Sequence, residues 1–217
     1  MKPIQIDILL FDEVEVLDCC GPYEVFTTAS RVLMRDRGLK EVPFDVATVS
    51  RTNAPVRARA GLRMVPDYIL GKRPVPTVLV VPGGVVDEPL GDSSLVRWIA
   101  TTSARTRITA SVCTGAFLLA AAGLLNGKRA TTHWEDQDDL ARRFPQVRVE
   151  RGVPWVDEGS VVTSAGISAG IHMSLHLVER LMDTEAALAT ARQLEYRWEA
   201  PSAPTEDPRS GNTPVRR

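Results

Sequence analysis

Cys113 lies in a segment whose spacing fits a nucleophile held at a sharp turn. The residues ITASVCTGAFLL place a β-branched strand before the cysteine and a helix directly after it. Ser111 and Gly115 flank it two positions away on either side, and small residues there allow the cramped turn that lifts a nucleophile out of a sheet. The positive end of the following helix should favour the thiolate. An inert buried cysteine is the alternative, since free cysteine often behaves as a small hydrophobe.

A second group with chemical potential is Asp18, in the segment LDCCGPYEVF after the first predicted strand. Loops at the carboxyl ends of parallel strands build the sites of open α/β sheets. We therefore expect Asp18 to lie in such a loop and to exchange a proton with whatever Cys113 attacks, so that a protonated Asp18 stands beside a thiolate. A helix cap or turn is the other role open to this aspartate. Cys20 and Gly21, in the same segment, are predicted to line the pocket.

The segment VVPGG places Gly83 and Gly84 after a run typical of a buried strand. Glycine lets backbone N–H groups approach a ligand closely, so this turn can form part of an oxyanion hole. Paired glycines also make ordinary turns. The segment therefore gains functional meaning only beside Cys113.

Two histidines on a predicted helix were considered as metal ligands. His172 and His176 are four residues apart, a spacing that can bind zinc. Neither an H-E-x-x-H pattern nor a third ligand accompanies them. No metal site is predicted.

The elements that must position these residues follow from hydrophobic patterning. Short apolar runs typical of buried parallel strands occupy residues 4–11, 44–49, 78–81 and 108–112. Helical patterns occupy residues 23–37, 93–104, 116–125, 135–143, 167–182 and 184–196, with further strand-like runs at 147–150 and 161–164. Residues 52–65 are predicted to form an inserted hairpin. The alternation predicts an α/β fold with a doubly wound, mostly parallel sheet, helices on both faces and a nucleophile elbow.

Composition limits the partners and the setting. The chain of 217 residues has 26 Lys and Arg against 27 Asp and Glu, and this balance gives no global attraction for nucleic acid or an anionic membrane. A small-molecule substrate fits better. Three cysteines argue against a secreted disulfide framework, and no apolar run reaches the ~20 residues of a membrane span, so a cytoplasmic location is expected. Residues 1–199 are predicted to form one domain and residues 200–217 a flexible tail.

Five segments in order resemble the ThiJ/PfpI superfamily over residues 4–196. They are D-x-x-G-P-x-E at 18–24, V-V-P-G-G at 80–84, S-V-C-T-G-A at 111–116, A-T-T-H-W at 130–134 and S-A-G-I-S-A-G at 164–170. Within the superfamily, the combination of Cys113 followed by Thr114, Asp18 and the segment A-T-T-H-W resembles isonitrile hydratases and the sensor domains of AraC-like regulators. Because fewer than twenty-five residues follow the last predicted helix, a free-standing enzyme is expected.

The resemblance implies a role for each matching residue. Cys113 would be the nucleophile, Asp18 a proton donor and acceptor, and Thr114 a hydroxyl in the same pocket. The N–H groups of Gly84 and Thr114, with Gly83 beside them, would hold developing negative charge. The pocket is implied to include, besides Cys20 and Gly21, the residues His133, Gly166 and Ile167. No cofactor is implied, His133 is a wall residue and not an obligatory base, and a homodimer is expected.

The departures from the family pattern narrow the function. The PfpI-like proteases place a histidine directly after the cysteine, whereas this chain has Thr114, so peptidase chemistry is disfavoured. Ala165 and His172 also differ from the usual residues and leave the substrate open. The leading hypothesis is a hydratase or hydrolase of a small carbon-nitrogen substrate, specifically the hydration of an isonitrile to an N-substituted formamide. The alternatives are a non-enzymatic small-molecule sensor domain and a redox or stress protein acting through oxidation of Cys113.

Overall fold

The computed structural model of the protein describes residues 2–198. Within this range the strands are β1 (Ile4–Leu9), β2 (Phe44–Ser50), β3 (Val56–Arg57), β4 (Arg63–Met64), β5 (Tyr68–Ile69), β6 (Val78–Val81), β7 (Ile108–Val112), β8 (Arg129–Ala130), β9 (Arg148–Val149), β10 (Trp155–Asp157) and β11 (Val161–Ser164). The helices are α1 (Val16–Arg37), α2 (Asp87–Gly91), α3 (Ser93–Ser103), α4 (Gly115–Ala121), α5 (Gln137–Arg143), α6 (Ala169–Leu181) and α7 (Thr184–Gln193). The predicted tail, residues 200–217, lies outside the described residues.

The main sheet has seven strands in the order β10-β11-β7-β6-β1-β2-β5. Every neighbouring pair is parallel except β10 and β11, which are antiparallel. The central strand β6 is buried at all four positions, as expected for a strand covered by helices on both sides. The predicted α/β fold with a mostly parallel sheet is confirmed.

From the two adjacent strands β1 and β6 near the centre of this sheet, the chain connects outward in opposite directions. From β1 the chain crosses through α1 to β2 on one side, and from β6 it crosses through α3 to β7 on the other. Because such crossovers are right-handed, opposite directions place α1 and α3 on opposite faces. The carboxyl ends of β1 and β6 therefore flank a topological switch point, which is where open α/β sheets bind ligands.

Two features of the fold differ from the sequence prediction. The first helix begins at Val16, so Asp18 lies in its first turn and not in a loop, and Pro22 lies inside the helix. Proline favours the first turn of a helix, which is why the pattern pointed to a start near residue 22. The short helix α2 and the two- and three-residue strands β5, β8 and β10 were not predicted.

The predicted hairpin is present. β3 and β4 pair in antiparallel fashion, with Val56 opposite Met64. The backbone N–H of Arg59 at its tip bonds to the carbonyl of Val14 at 3.0 Å, which fixes the hairpin beside the start of α1. Over residues 2–198, no helix is both long enough and apolar enough to cross a bilayer.

Candidate active site at the switch point

Cys113 occupies a strained turn between β7 and α4. Its φ of 56° lies in the left-handed region, which side-chain-bearing residues rarely adopt and which costs on the order of 1–3 kcal/mol. The backbone around it is held from both sides. The Cys113 N–H bonds to the carbonyl of Ala165 at 3.2 Å, and the Cys113 carbonyl accepts the hydroxyl of buried Thr132 at 2.8 Å. The predicted sharp turn between strand and helix is therefore present.

Gly115 allows α4 to start directly against the neighbouring strand. A Cβ atom at this position would lie 2.2 Å from the carbonyl oxygen of Val81 and 2.8 Å from that of Pro82. Both are backbone atoms that cannot move without shifting β6. The small residue two positions after the cysteine is thus required by the close packing of the elbow.

Substitution of Gly115 by alanine should destabilise the protein by about 2 kcal/mol or more, because overpacking against backbone forces the elbow apart. Urea unfolding measures the change. Gly91→Ala is the matched control, since a Cβ at Gly91, the last residue of α2, meets no atom within 4 Å. We expect that control to be neutral or slightly stabilising. Equal stability of the two variants would contradict the packing argument.

Asp18 reaches the elbow from the first turn of α1. The side chain is fully buried, and Oδ2 accepts the N–H of Gly83 at 3.0 Å. Burial raises the pKa of Asp18 to about 7, while the Gly83 N–H and the nearby Cys113 thiol oppose that shift. Oδ1 has no hydrogen bond of normal geometry to any other described residue. That oxygen is therefore available to receive a proton.

The thiol of Cys113 does not show the lowered pKa that the helix start led us to expect. Burial, with a smaller contribution from the charge of Asp18, raises the pKa of Cys113 to about 12. The backbone N–H groups of Thr114 and Ile167 lower this pKa, but they do not offset burial. The prediction of a resting thiolate is therefore wrong for this structure.

The glycine turn does not supply the predicted oxyanion hole. The Gly84 N–H donates to Oγ1 of Thr114 at 2.9 Å, and the same hydroxyl donates to the Gly84 carbonyl at 2.9 Å. The Gly83 N–H is occupied by Asp18. The turn holds the acid and the threonine in place, and the N–H groups that lower the pKa of the Cys113 thiol belong to Thr114 and Ile167. The role predicted for the Thr114 N–H, holding developing negative charge, stays a prediction.

A cavity of about 260 Å³ opens onto Cys113. It is lined by Glu15, Arg59, Gly84, Val85, Cys113, Thr114, His133, Glu135, Asp136 and Ile167. The predicted pocket residues His133 and Ile167 therefore lie in its wall. Gly166 supports that wall, since a Cβ there would lie 2.1 Å from Cδ2 of His133.

Cys20 and Gly21 do not belong to this pocket, contrary to the prediction. Both line a separate apolar groove between α1 and α6 that includes Ile171 and Tyr196. At about 100° per residue, Cys20 stands across the helix from Asp18, and a Cβ at Gly21 would lie 3.1 Å from Ile171. The early start of α1 is the cause, since a loop would have let all three residues face the sulfur.

His176 and His172, which were considered as metal ligands, contact different residues. Nε2 of His176 lies 2.8 Å from Oδ2 of Asp157, and its ring stacks on Trp155 with centroids 4.0 Å apart. His172 packs edge-on against Trp198. Among residues 2–198 no group of three or more His, Cys, Asp or Glu side chains is placed to hold a metal ion.

Thr132 is a site residue that sequence reasoning missed. The segment ATTHW drew attention to His133, whereas the hydroxyl one residue earlier supports the strained carbonyl of Cys113. Ile167 was expected only as a pocket wall, but its backbone N–H also lowers the pKa of the Cys113 thiol, and its own φ is 51°. Only the folded chain identifies these two residues, because the segment after β8 brings Thr132 to the elbow and the loop before α6 brings Ile167 there.

Comparison of the sequence with known proteins identifies a family and several relatives. A profile of the DJ-1/PfpI family matches residues 5–180. An isonitrile hydratase of Pseudomonas putida is 37% identical over 202 residues, which are 93% of this chain and 81% of that protein. The HTH-type transcriptional regulator GbdR of Pseudomonas aeruginosa is 27% identical over 195 residues, which are 90% of this chain and 51% of the regulator.

A solved structure supports the same relationship at the level of the fold. The crystal structure of a ThiJ/PfpI family protein from Pseudomonas syringae superposes with a TM-score of 0.79 at 30% identity, covering 94% of this chain and 80% of that one. The resemblance derived from the five sequence segments is thereby confirmed. With the profile spanning most of its length and the elbow, buried acid and glycine turn at one switch point, this chain belongs to the DJ-1/PfpI family.

Proposed function

We propose that this protein is a cysteine-dependent hydratase that converts a small isonitrile to the N-substituted formamide. The observation that carries the proposal is the buried Asp18 carboxyl next to the buried Cys113 thiol, which itself lines a cavity of about 260 Å³. The 37% identity to an isonitrile hydratase over 93% of the chain supports the choice of substrate. The pair supplies a nucleophile and a proton carrier, which are the two groups that this reaction needs.

In the first half of the reaction the sulfur of Cys113 forms a bond to the terminal carbon of the isonitrile. The thiol proton passes to Oδ1 of Asp18 and from there to the same carbon, which gives a thioimidate. The N–H groups of Thr114 and Ile167 stabilise negative charge on the sulfur while it is deprotonated. A carboxyl group with a pKa of about 7 accepts and returns a proton readily near neutral pH.

In the second half water adds to the thioimidate carbon. Asp18 accepts a proton from the water and delivers it to the substrate nitrogen, which gives a tetrahedral adduct. The carbon–sulfur bond then breaks, the hydroxyl proton returns through Asp18 to the sulfur, and the formamide leaves. One isonitrile and one water become one formamide, and the enzyme regains its thiol.

We expect the purified protein to convert butyl isonitrile to N-butylformamide in a reaction that incorporates solvent atoms at defined positions. In D2O the formyl carbon should carry deuterium, and in H2(18)O the carbonyl should carry the heavy oxygen. Both follow from delivery of an exchangeable proton by Asp18 and from attack by water. NMR and mass spectrometry of the product measure them. Absence of formamide would refute the proposed function and favour the sensor or redox alternatives.

We propose a cytoplasmic homodimer that acts on a small molecule and has no nucleic-acid partner. The near balance of charge over the whole sequence supports the last point, since no basic excess attracts phosphate.

A further inference from the structure

The cavity above Cys113 has an uneven charge. Three carboxylates line it, those of Glu15, Glu135 and Asp136. Among the described residues of its wall, the permanent cation is Arg59. Nη1 of Arg59 lies 3.2 Å from Oε2 of Glu15, so this cation is already compensated by the first carboxylate. The carboxylates of Glu135 and Asp136 therefore determine the sign of the electrostatic field in the cavity.

His133 does not reverse this balance in either protonation state. Its Nδ1 lies 3.5 Å from Oδ2 of Asp136 and 3.7 Å from Oε2 of Glu135. With a neutral imidazole the wall has three negative groups and one positive group. With a protonated imidazole the wall has three negative groups and two positive groups. The wall is negative in both cases.

The charge of the wall acts at the reacting atom. The Asp136 side chain is 38% exposed, so water screens it only in part. Asp136 and Cys113 line the same cavity, and the charge of Asp136 raises the pKa of the Cys113 thiol. A charged group that enters the cavity therefore interacts with the wall and not only with solvent.

We propose that the cavity selects substrates by charge, favouring a small isonitrile whose substituent is cationic, such as an ammonium, and discriminating against an anionic one, with Asp136 and Glu135 as the specificity-determining residues. This inference rests on the proposed function for the identity of the reacting group. The volume of about 260 Å³ restricts the substituent to a few heavy atoms.

The charge selection can be measured without turnover by labelling Cys113. Two methanethiosulfonates of similar size, one with a trimethylammonium and one with a sulfonate, each transfer their thio group to the cysteine and release methanesulfinate. Both react with the thiolate, so the pKa of Cys113 cancels in the ratio of the two rates. We define the ratio as the labelling rate with the trimethylammonium reagent divided by the rate with the sulfonate reagent. After division by the same ratio for free 2-mercaptoethanol, we expect it to be about 10 or more. Peptide mapping by mass spectrometry separates Cys113 from Cys20, which is exposed.

Asp136→Asn and Glu135→Gln should each lower that ratio by about fivefold, the effect of removing one unit charge several ångströms away in a largely aqueous path. Glu185→Gln is the matched control, because Glu185 is an exposed residue of α7 and changes the net charge equally. It should leave the ratio unchanged. A normalised ratio near 1, no response to the two wall variants, or failure of the cationic reagent to label Cys113 would overturn the proposal. An absence of isonitrile hydration would refute the proposed function alone, since the labelling ratio does not depend on it.

Discussion

Replacement of Cys113 by serine should reduce isonitrile hydration by roughly 10⁴-fold or more while the protein stays folded. Serine fits the same space and keeps a group that can bond to the N–H groups of Thr114 and Ile167. Its hydroxyl is a far weaker acid than a thiol, so Asp18, with a pKa of about 7, cannot remove its proton at a useful rate. Turnover of butyl isonitrile and the cooperative urea transition measure the two expectations.

Cys20→Ser is the matched control for the Cys113 experiment. Cys20 is exposed and lines the apolar groove between α1 and α6 rather than the cavity of Cys113. We expect its activity to stay within about twofold of the wild type, as is typical of a surface substitution remote from a site. Substantial activity in a folded Cys113→Ser protein, or a large loss in Cys20→Ser, would remove Cys113 from the mechanism.

The main sheet could be predicted because its strands carry strong local signals. β6 and β7 are short runs of buried apolar or small residues, and both were predicted at their observed bounds. β5, β8 and β10 contain two or three residues, too few for a pattern, and exist because a neighbouring strand offers backbone partners. Tertiary pairing outweighs local preference in such short elements.

The site was predictable where it depends on the turn after a strand, and not where it depends on contacts distant in sequence. Cys113 and Asp18 were found because each follows a buried strand at one edge of the sheet. The Thr132 hydroxyl reaches the elbow across 19 residues, and no local pattern indicates such a contact. The Gly84 N–H was misassigned because only the folded chain shows that the Thr114 hydroxyl already occupies it.

The pKa of Cys113 was misjudged for a related reason. The sequence shows the helix start that favours a thiolate, but it does not show the degree of burial that favours the thiol. The side chain is only 7% exposed, and burial is the larger effect. In the proposed mechanism the deprotonation step therefore falls within the reaction, and Asp18 is assigned the role of base as well as donor.

Asp18→Asn is the second substitution with a large expected effect. The amide can still accept the Gly83 N–H through its oxygen, so the fold should be retained, but it cannot carry a proton between sulfur and substrate. We expect hydration to slow by about 100-fold or more. In the wild type kcat/KM should rise with pH and level off above about 7, since the free carboxylate is the form that accepts the thiol proton. In the variant this rise should be absent.

The same substitution should make the protein more stable at alkaline pH. The pKa of Asp18 is raised by burial from 3.8 to about 7, so the folded state holds its proton more tightly than the unfolded state. The free energy of unfolding therefore falls as pH rises from about 4 to about 7, by on the order of 4 kcal/mol for this group. An amide in place of the carboxyl does not titrate, so the stability of the variant relative to the wild type should increase across that window. Urea unfolding at pH 4.5 and pH 8 measures the increase, with Asp87→Asn, an exposed carboxylate at the start of α2, as the control for charge alone. A variant that loses stability at pH 8 while keeping its activity would assign Asp18 a capping role in α1 and remove it from the chemistry.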